Sequence, residues 1–245
     1  VQAAFDSQIA VVTGASRGIG ASVALQLAEH GADVVINFRS KGSRAEVVAE
    51  QVERLGRRAL LAQADLTDPA DLQGLAGAIT QVFGRLDLLV LNASGGLEKD
   101  KPASYAMLLN MTAQIQTVDA LLPLMPHGSC IVFVTSHWAH FYGQEPVLPA
   151  YEPIAASKKA GEEALRARIP EFAARGIRLL VVSGDVIEGT ITPKLLERSQ
   201  PGTIATRREQ VGAFPTVAEF AEAIVATAAD RGLPSGHTVF VGSTK

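Results

Sequence analysis

Thr13-Gly14-Ala15-Ser16-Arg17-Gly18-Ile19-Gly20 is the first stretch whose residue types and spacing suit chemistry. Glycines at these intervals let a backbone turn sharply and approach a pyrophosphate, which then rests on the positive end of the following helix. A tight turn without a ligand is the plain alternative. The apolar run before the turn and the helical pattern after it favour the phosphate. A second signal closes the next apolar run, Ile36-Asn37-Phe38-Arg39-Ser40-Lys41. An NAD site needs a carboxylate here to accept hydrogen bonds from the ribose hydroxyls. Counted from Gly31, that position is Phe38, which accepts nothing. Arg39, Ser40, Lys41 and the nearby Arg17 instead offer the guanidinium and small hydroxyl donors that a 2′-phosphate wants. Arg39 and Lys41 as merely solvated loop charges is the competing reading; the missing acid decides for NADP(H).

These residues need a frame. Strand-like runs lie at 9–13, 33–37, 58–63, 86–92, 129–135, 177–183 and 238–241. Most are apolar on both sides of the alternation, as in parallel strands covered on both faces. Helical patterns at 19–30, 44–55, 70–83 and 160–175 separate them, and Gly31, Gly56, Gly84 and Gly176 each follow one as a helix-ending glycine would. The expectation is one Rossmann-like domain over 1–245, a doubly wound parallel sheet of seven strands with helices on both faces. Two stretches, 137–153 and 184–214, read as irregular. Loops that long in a compact domain usually serve a site.

Composition agrees: 245 residues, 47% hydrophobic and 19% charged, suit one globular α/β domain. A net charge of -3 gives no footprint for nucleic acid or an anionic membrane. No apolar run reaches the roughly 18 residues of a membrane span. Nor does the sequence open with the pattern of a signal peptide, so a cytoplasmic protein is the expectation. The single cysteine, Cys130, reads as a buried strand thiol. No metal site is expected, since His137 and His140 lack a suitably spaced carboxylate.

The spacing Thr-Gly-x-x-x-Gly-x-Gly resembles the cofactor loop of short-chain dehydrogenases/reductases. The likeness continues through Asp65-Leu66, Asn92-Ala93-Ser94-Gly95, Asn110, Ser136 and Ser157-Lys158. It implies that Gly14, Ser16, Arg17, Gly18, Ile19 and Gly20 hold the pyrophosphate side, while Arg39 and Ser40 meet the ribose phosphate. Asp65 and Leu66 would meet the adenine, with Asn92, Ala93 and Ser94 beneath the cofactor. After the sixth strand the family pattern maps onto Gly184, Val186 (a backbone grip on the carboxamide) and Thr190 or Thr192, with Ser183 replacing a proline. A lid over the substrate would span about 185–214. The resemblance also implies a homo-oligomer, a tetramer before a dimer, built on the helices near 110–122 and 153–168 and on 238–241.

For the reaction, the resemblance implies hydride transfer between a nicotinamide and the carbonyl carbon of a small-molecule ketone or alcohol. A serine holds the carbonyl, a tyrosine gives or takes the proton, a lysine four residues later supports it, and an asparagine anchors a water. A phenol with pKa about 10 needs a neighbouring cation to work at neutral pH. Ser136, Lys158 and Asn110 occupy the matching places. Four residues before Lys158, however, stands Ile154, which has no proton to transfer. Tyr151 is the replacement expected here. Pro153 favours a helix start just after it, which leaves Tyr151 outside the helix, and in straight helix it would stand about 10.5 Å along the axis from Lys158. Contact with the ammonium therefore requires the lead-in to fold back. His137, His140, Tyr142, substrate-assisted protonation or a lost activity are the alternatives, the last making the chain an NADP(H)-binding regulatory or scaffolding protein. The two histidines also read as part of an aromatic substrate wall and Tyr105 as structural, while Lys194, Glu197, Arg198, Arg207 and Arg208 read as a solvated helical face, with Arg207 and Arg208 as a seat for an anionic carrier the alternative.

Overall fold

The computed structural model describes residues 4–97, 101–102 and 104–244. Seven strands, β1 (Ile9–Val12), β2 (Asp33–Phe38), β3 (Ala59–Gln63), β4 (Leu88–Leu91), β5 (Cys130–Ser136), β6 (Arg178–Gly184) and β7 (Thr238–Val241), form one parallel sheet in the order β3-β2-β1-β4-β5-β6-β7. Their period-2 alternation sorts apolar side chains into two cores. Val12, Ile36, Val90, Val132 and Val182 face the layer of α1 (Gly18–Glu29), α2 (Gly42–Arg54) and α11 (Val217–Ala229). Val11, Val35, Leu89, Ile131 and Val181 face α3 (Pro69–Val82), α5 (Ala113–Leu121), α7 (Glu152–Ala167) and α8 (Ile169–Ala174). Both sides of the central strands are therefore dry, which is why their sequences run apolar without a polar phase. Gly31, Gly56, Gly84 and Gly176 stand at positive φ beyond α1, α2, α3 and α8, as their spacing predicts. Among the described residues no helix is long and apolar enough to cross a membrane.

The chain builds outward from β1 to β3 and then returns to lay β4 on the other side of β1. The loops after β1 and β4 part in opposite directions and leave a crevice at the carboxyl ends of the strands, the place where open α/β sheets bind ligands. Thr13 and Asn92, the residues that follow these two strands, stand at its edges.

Three segments differ from the sequence reading. The helix expected at 160–175 is two helices, α7 starting at Glu152 and α8 starting at Ile169. Each carries a proline in its first turn, Pro153 and Pro170, where a missing N–H costs nothing. The stretch 137–153 opens with a helical turn, α6 (His137–His140), whose Ala139 amide donates to the Ser136 hydroxyl that caps it. The stretch 184–214 contains α9 (Ile191–Ser199) and α10 (Thr203–Val211). Leu196 is the one buried side chain of α9, and α10 buries none, so α10 carries no apolar stripe in its sequence.

Candidate active site

The residues after β1 are tied down before any ligand arrives. The Thr13 hydroxyl accepts from the amides of Asn92 and Ala93, both at 2.9 Å, and donates to the Val90 carbonyl at 3.2 Å. Asn92 returns a hydrogen bond from its side-chain amide to the Thr13 carbonyl at 2.9 Å. The Gly14 amide donates to Asn37 Oδ1 at 3.2 Å, which fixes the turn to the end of β2 as well. Gly14 and Gly18 have φ of +65° and +55°. A Cβ on Gly20 would lie 2.6 Å from both Asn92 Nδ2 and the Gly14 carbonyl oxygen, so the turn closes on itself only with glycine there. Helix α1 then begins with no side-chain cap and no acidic residue in its first turn, leaving its amides to an incoming anion.

Two adjoining cavities, of about 640 and 840 Å³, open from this turn. Every expected site residue except Asn110 lines one or both. The smaller holds Gly14, Ser16, Arg17, Gly18, Ile19, Gly20, Arg39, Ser40, Asp65, Leu66, Asn92, Ala93, Ser94 and Thr190. The larger holds Ser136, Tyr151, Lys158, Gly184 and Val186, and shares Arg17, Ile19, Asn92, Ser94 and Thr190 with the first. The shared walls make one elongated cleft along the carboxyl ends of the strands, a shape that fits a dinucleotide.

The smaller cavity is lined by four cations, Arg17, Arg39, Lys41 and Lys194, against one carboxylate, Asp65. Burial pushes the Asp65 carboxyl up, but hydrogen bonds from the Thr67 hydroxyl and amide, with Arg39 and Lys101 nearby, outweigh it and leave its pKa lowered. Sequence reasoning left Tyr105 aside as structural. Its side chain lines this cavity and its hydroxyl accepts a hydrogen bond from Arg39 Nη1. Only the fold shows this, since 66 residues separate the pair.

In the larger cavity Tyr151 caps α7 with helical backbone and meets Ser136, not the Lys158 ammonium, so the expected contact with Lys158 is not made. Tyr151 Oη lies 3.1 Å from Ser136 Oγ, and its ring meets Trp138 edge-on at 5.3 Å. Burial raises the phenol above its ordinary pKa, with the Ser136 hydrogen bond opposing, so Tyr151 is a neutral donor at physiological pH. Lys158 is buried at the same wall, and its Nζ reaches the Val134 carbonyl at 3.5 Å. Burial pulls its pKa down to about 8. Ile154 packs against Tyr151 in a small cluster with Ala139, Ala155 and Leu196, so helix α9 is seated against the Tyr151 side of this cavity.

Asn110 stands apart from the cavities. It lies in a π-helical segment, Leu108–Thr112, between α4 (Tyr105–Met107) and α5. Its side-chain amide donates to the Gly95 carbonyl at 2.9 Å and to Ser157 Oγ at 3.0 Å, while its Oδ1 accepts from the Gly95 amide at 3.2 Å. The side chain therefore braces the loop after β4 against α7.

Four other expectations need correction. His137 and His140 line neither cavity. They turn to the far side of α6, where His137 meets Ser183 Oγ at 2.8 Å, His140 meets Glu162 at 2.8 Å, and both rings pack on Phe141 and Phe240. Tyr142 donates to Glu152 Oε1 at 3.3 Å on the surface. Of the Val186 backbone groups expected to hold a carboxamide, the amide is already engaged, donating to Asp185 Oδ1 at 2.7 Å. Arg207 is bound through both nitrogens of its fork to Asp185, at 2.9 and 3.2 Å, and Arg208 pairs with Glu188 at 3.1 Å, so neither is a free seat for an anionic carrier.

The buried His137 has a consequence for stability. Burial pushes its imidazole down to about 4, against 6.5 in the unfolded chain. The unfolded state thus takes a proton that the folded state refuses, and stability is expected to fall as pH drops from about 6.5 towards 4. The urea midpoint of His137→Gln should change less between pH 7 and 5 than that of the parent. An equal change in both proteins would rule His137 out as the cause.

Comparison with known proteins gives the same frame. A family model described as short chain dehydrogenase matches residues 8–200. A hydroxynaphthalene reductase of Aspergillus fumigatus is 30% identical over 203 residues, covering 80% of this chain and 72% of that protein. The 1-cyclohexenylcarbonyl-CoA reductase of Streptomyces collinus is 32% identical over 195 residues, 76% of this chain and 67% of that one. Among solved structures, a short chain dehydrogenase from Burkholderia cenocepacia J2315 in complex with NADP is similar with a TM-score of 0.84 at 27% identity, over 97% of each chain. Carveol dehydrogenase from Mycobacterium avium in complex with NAD matches the fold with a TM-score of 0.84 at 22% identity, over 98% of each chain.

Proposed function

The chain belongs to the short-chain dehydrogenase family, and from that premise we propose that it is an NADP(H)-dependent carbonyl reductase or alcohol dehydrogenase whose proton donor is Tyr151. The observation that carries this reading is the 3.1 Å pairing of Ser136 Oγ with Tyr151 Oη at the wall of the larger cavity. Tyr151 takes over the role that the family's spacing from Lys158 gives to position 154, where this chain has isoleucine.

When bound, the nicotinamide supplies or takes the hydride at the carbonyl carbon. The glycine turn and the open end of α1 hold the pyrophosphate, and Arg39 with Ser40 holds the ribose phosphate. A carbonyl oxygen seated between Ser136 and Tyr151 accepts from both hydroxyls. Because burial keeps the phenol protonated, Tyr151 enters reduction as an acid and gives its proton to the oxygen as charge develops there. Lys158, four residues past the isoleucine, lends positive charge to that wall. Trp138, Leu97, Ile154 and Leu195 line the rest of the cavity and exclude water from the reacting oxygen. NADPH consumption over a panel of ketones tests the reading; complete inactivity with cofactor bound would leave only the binding protein of the same fold. Phe240, 41% exposed in β7, where the family resemblance puts a contact between copies, supports the expected homo-oligomer.

The cofactor preference rests on this chain's own residues, since structural relatives hold NADP in one case and NAD in another. Arg39→Ala is expected to weaken NADPH binding by about 1.5–3 kcal/mol, the size of a charge-assisted hydrogen bond, or roughly ten- to hundredfold. NADH binding should change little. Fluorescence titration of both cofactors decides it, and an equal loss for NADH would refute a role at the 2′-phosphate.

A further inference from the structure

We propose that the substrate carries a carboxylate beside its carbonyl group and that Arg198, on lid helix α9, recognises it. The inference rests on the reading of the larger cavity as the substrate site and adds the chemical class of what enters it. Among the described residues four charged side chains line that cavity: Arg17, Lys158, Asp185 and Arg198. Three of them have other work. Arg17 also lines the phosphate cavity, Lys158 is buried at the reacting wall, and Asp185 is neutralised by the two-nitrogen grip of Arg207. Arg198 lines the larger cavity alone, and among the described residues it has neither an ion pair nor a hydrogen bond.

Its nearest potential partner in sequence is committed elsewhere. Glu197 accepts the amides of Gly202 at 2.7 Å and Ile204 at 3.1 Å, which shapes the turn from α9 into α10. The helix is also held in rotation. Leu196, 1% exposed, is buried against the cluster of Tyr151 and Ile154. Leu195, Arg198 and Ser199 then share the face that lines the cavity, as i, i+3 and i+4 positions do. The cavity thus offers two hydroxyls at one end, apolar and aromatic walls, and one unbalanced guanidinium on its lid. Sites with a few polar groups set among apolar walls use them to orient a ligand. A guanidinium fork matches a carboxylate, and the charge-assisted pair is stronger than a neutral one.

Trp138, the only tryptophan in the chain, lines the same cavity and reports occupancy without turnover. The test uses the NADP-loaded full chain, titrated by Trp138 fluorescence with 4-acetylbenzoate and its neutral partner 4-acetylbenzamide. The carboxylate is expected to bind about tenfold tighter than the amide, the effect of one partly solvated charge-assisted bond. In Arg198→Gln that preference should vanish while the amide binds as before. In Arg208→Gln, which removes a cation of α10 that pairs with Glu188 and lines neither cavity, the preference should survive. Equal binding of the two probes, no binding of either at millimolar concentration, or a preference that persists in Arg198→Gln would overturn the proposal. NADPH consumption with the same ketones is read separately, so an inactive enzyme that still prefers the carboxylate defeats the assigned reaction and not the recognition by Arg198.

Discussion

Tyr151→Phe is expected to lower kcat by about 10²–10⁴-fold, the usual contribution of a general acid, and to leave NADPH affinity nearly unchanged. The substitution removes one oxygen and keeps the ring. The edge-on contact with Trp138 and the packing on Ile154 and Leu196 survive, so the variant should fold as the parent does. What it loses is the hydroxyl 3.1 Å from Ser136 Oγ. Ser136→Ala should also impair turnover, through lost orientation of the carbonyl, because Ser136 would no longer share the oxygen with Tyr151. Tyr142→Phe is the matched control: its hydroxyl donates to Glu152 at the surface and lines neither cavity, and activity should hold. A deuterium isotope effect from labelled NADPH establishes that hydride transfer limits the rate under the assay conditions. If Tyr151→Phe keeps near-parental turnover when that effect is present, the proton comes from elsewhere.

How far the sequence could be read follows from what each signal is made of. Parallel strands buried on both faces are written as continuous apolar runs, so the sheet and its order of appearance were legible from residues such as 33–37 and 129–135. The glycine turn was legible because its glycines answer to backbone geometry alone, at Gly14, Gly18 and Gly20. The acid missing at Phe38 pointed to the cation-rich cavity for the same local reason. Long-range pairings left no such mark. Nothing near Arg39 in sequence announces Tyr105, and nothing near Asp185 announces Arg207. The Tyr151–Ser136 contact depended on how residues 141–150 turn back, and no periodicity records that. Helix α10 was unread because it buries no side chain and so carries no apolar stripe, whereas α9 does have an apolar and a polar face and was passed over because it is only nine residues long. The histidines misled for a related reason. Residues flanked by Trp138, Phe141 and Tyr142 look like a wall of one pocket, yet the four-residue turn of α6 sends Trp138 to the cavity and both imidazoles to Phe240 on the other side.

Gly161→Ala is expected to destabilise the fold, while the same change at Gly74 should not. In an exposed helix interior, alanine is favoured over glycine by roughly 1 kcal/mol. Gly74, inside α3, has nothing within 4 Å of an added Cβ and should show that gain. Gly161, inside α7, faces the π-helical segment, where an added Cβ would stand 2.3 Å from the Asn110 carbonyl oxygen and 3.4 Å from Met111 Cα. Both obstacles are backbone, so no rotamer relieves them and the two helices have to part. Overpacking of this kind costs about 1–3 kcal/mol, which outweighs or cancels the helical gain. With roughly 2–4 °C of Tm per kcal/mol at this chain length, Gly161→Ala should melt several degrees below Gly74→Ala. The displaced α7 carries Ser157, which holds Asn110, and Lys158, which lines the reacting wall. Turnover should therefore fall in Gly161→Ala even well below its melting temperature, and hold in Gly74→Ala. Equal Tm values for the two variants would mean that α7 and the π-helical segment do not make the close backbone contact on which this placement of Asn110 and Lys158 depends.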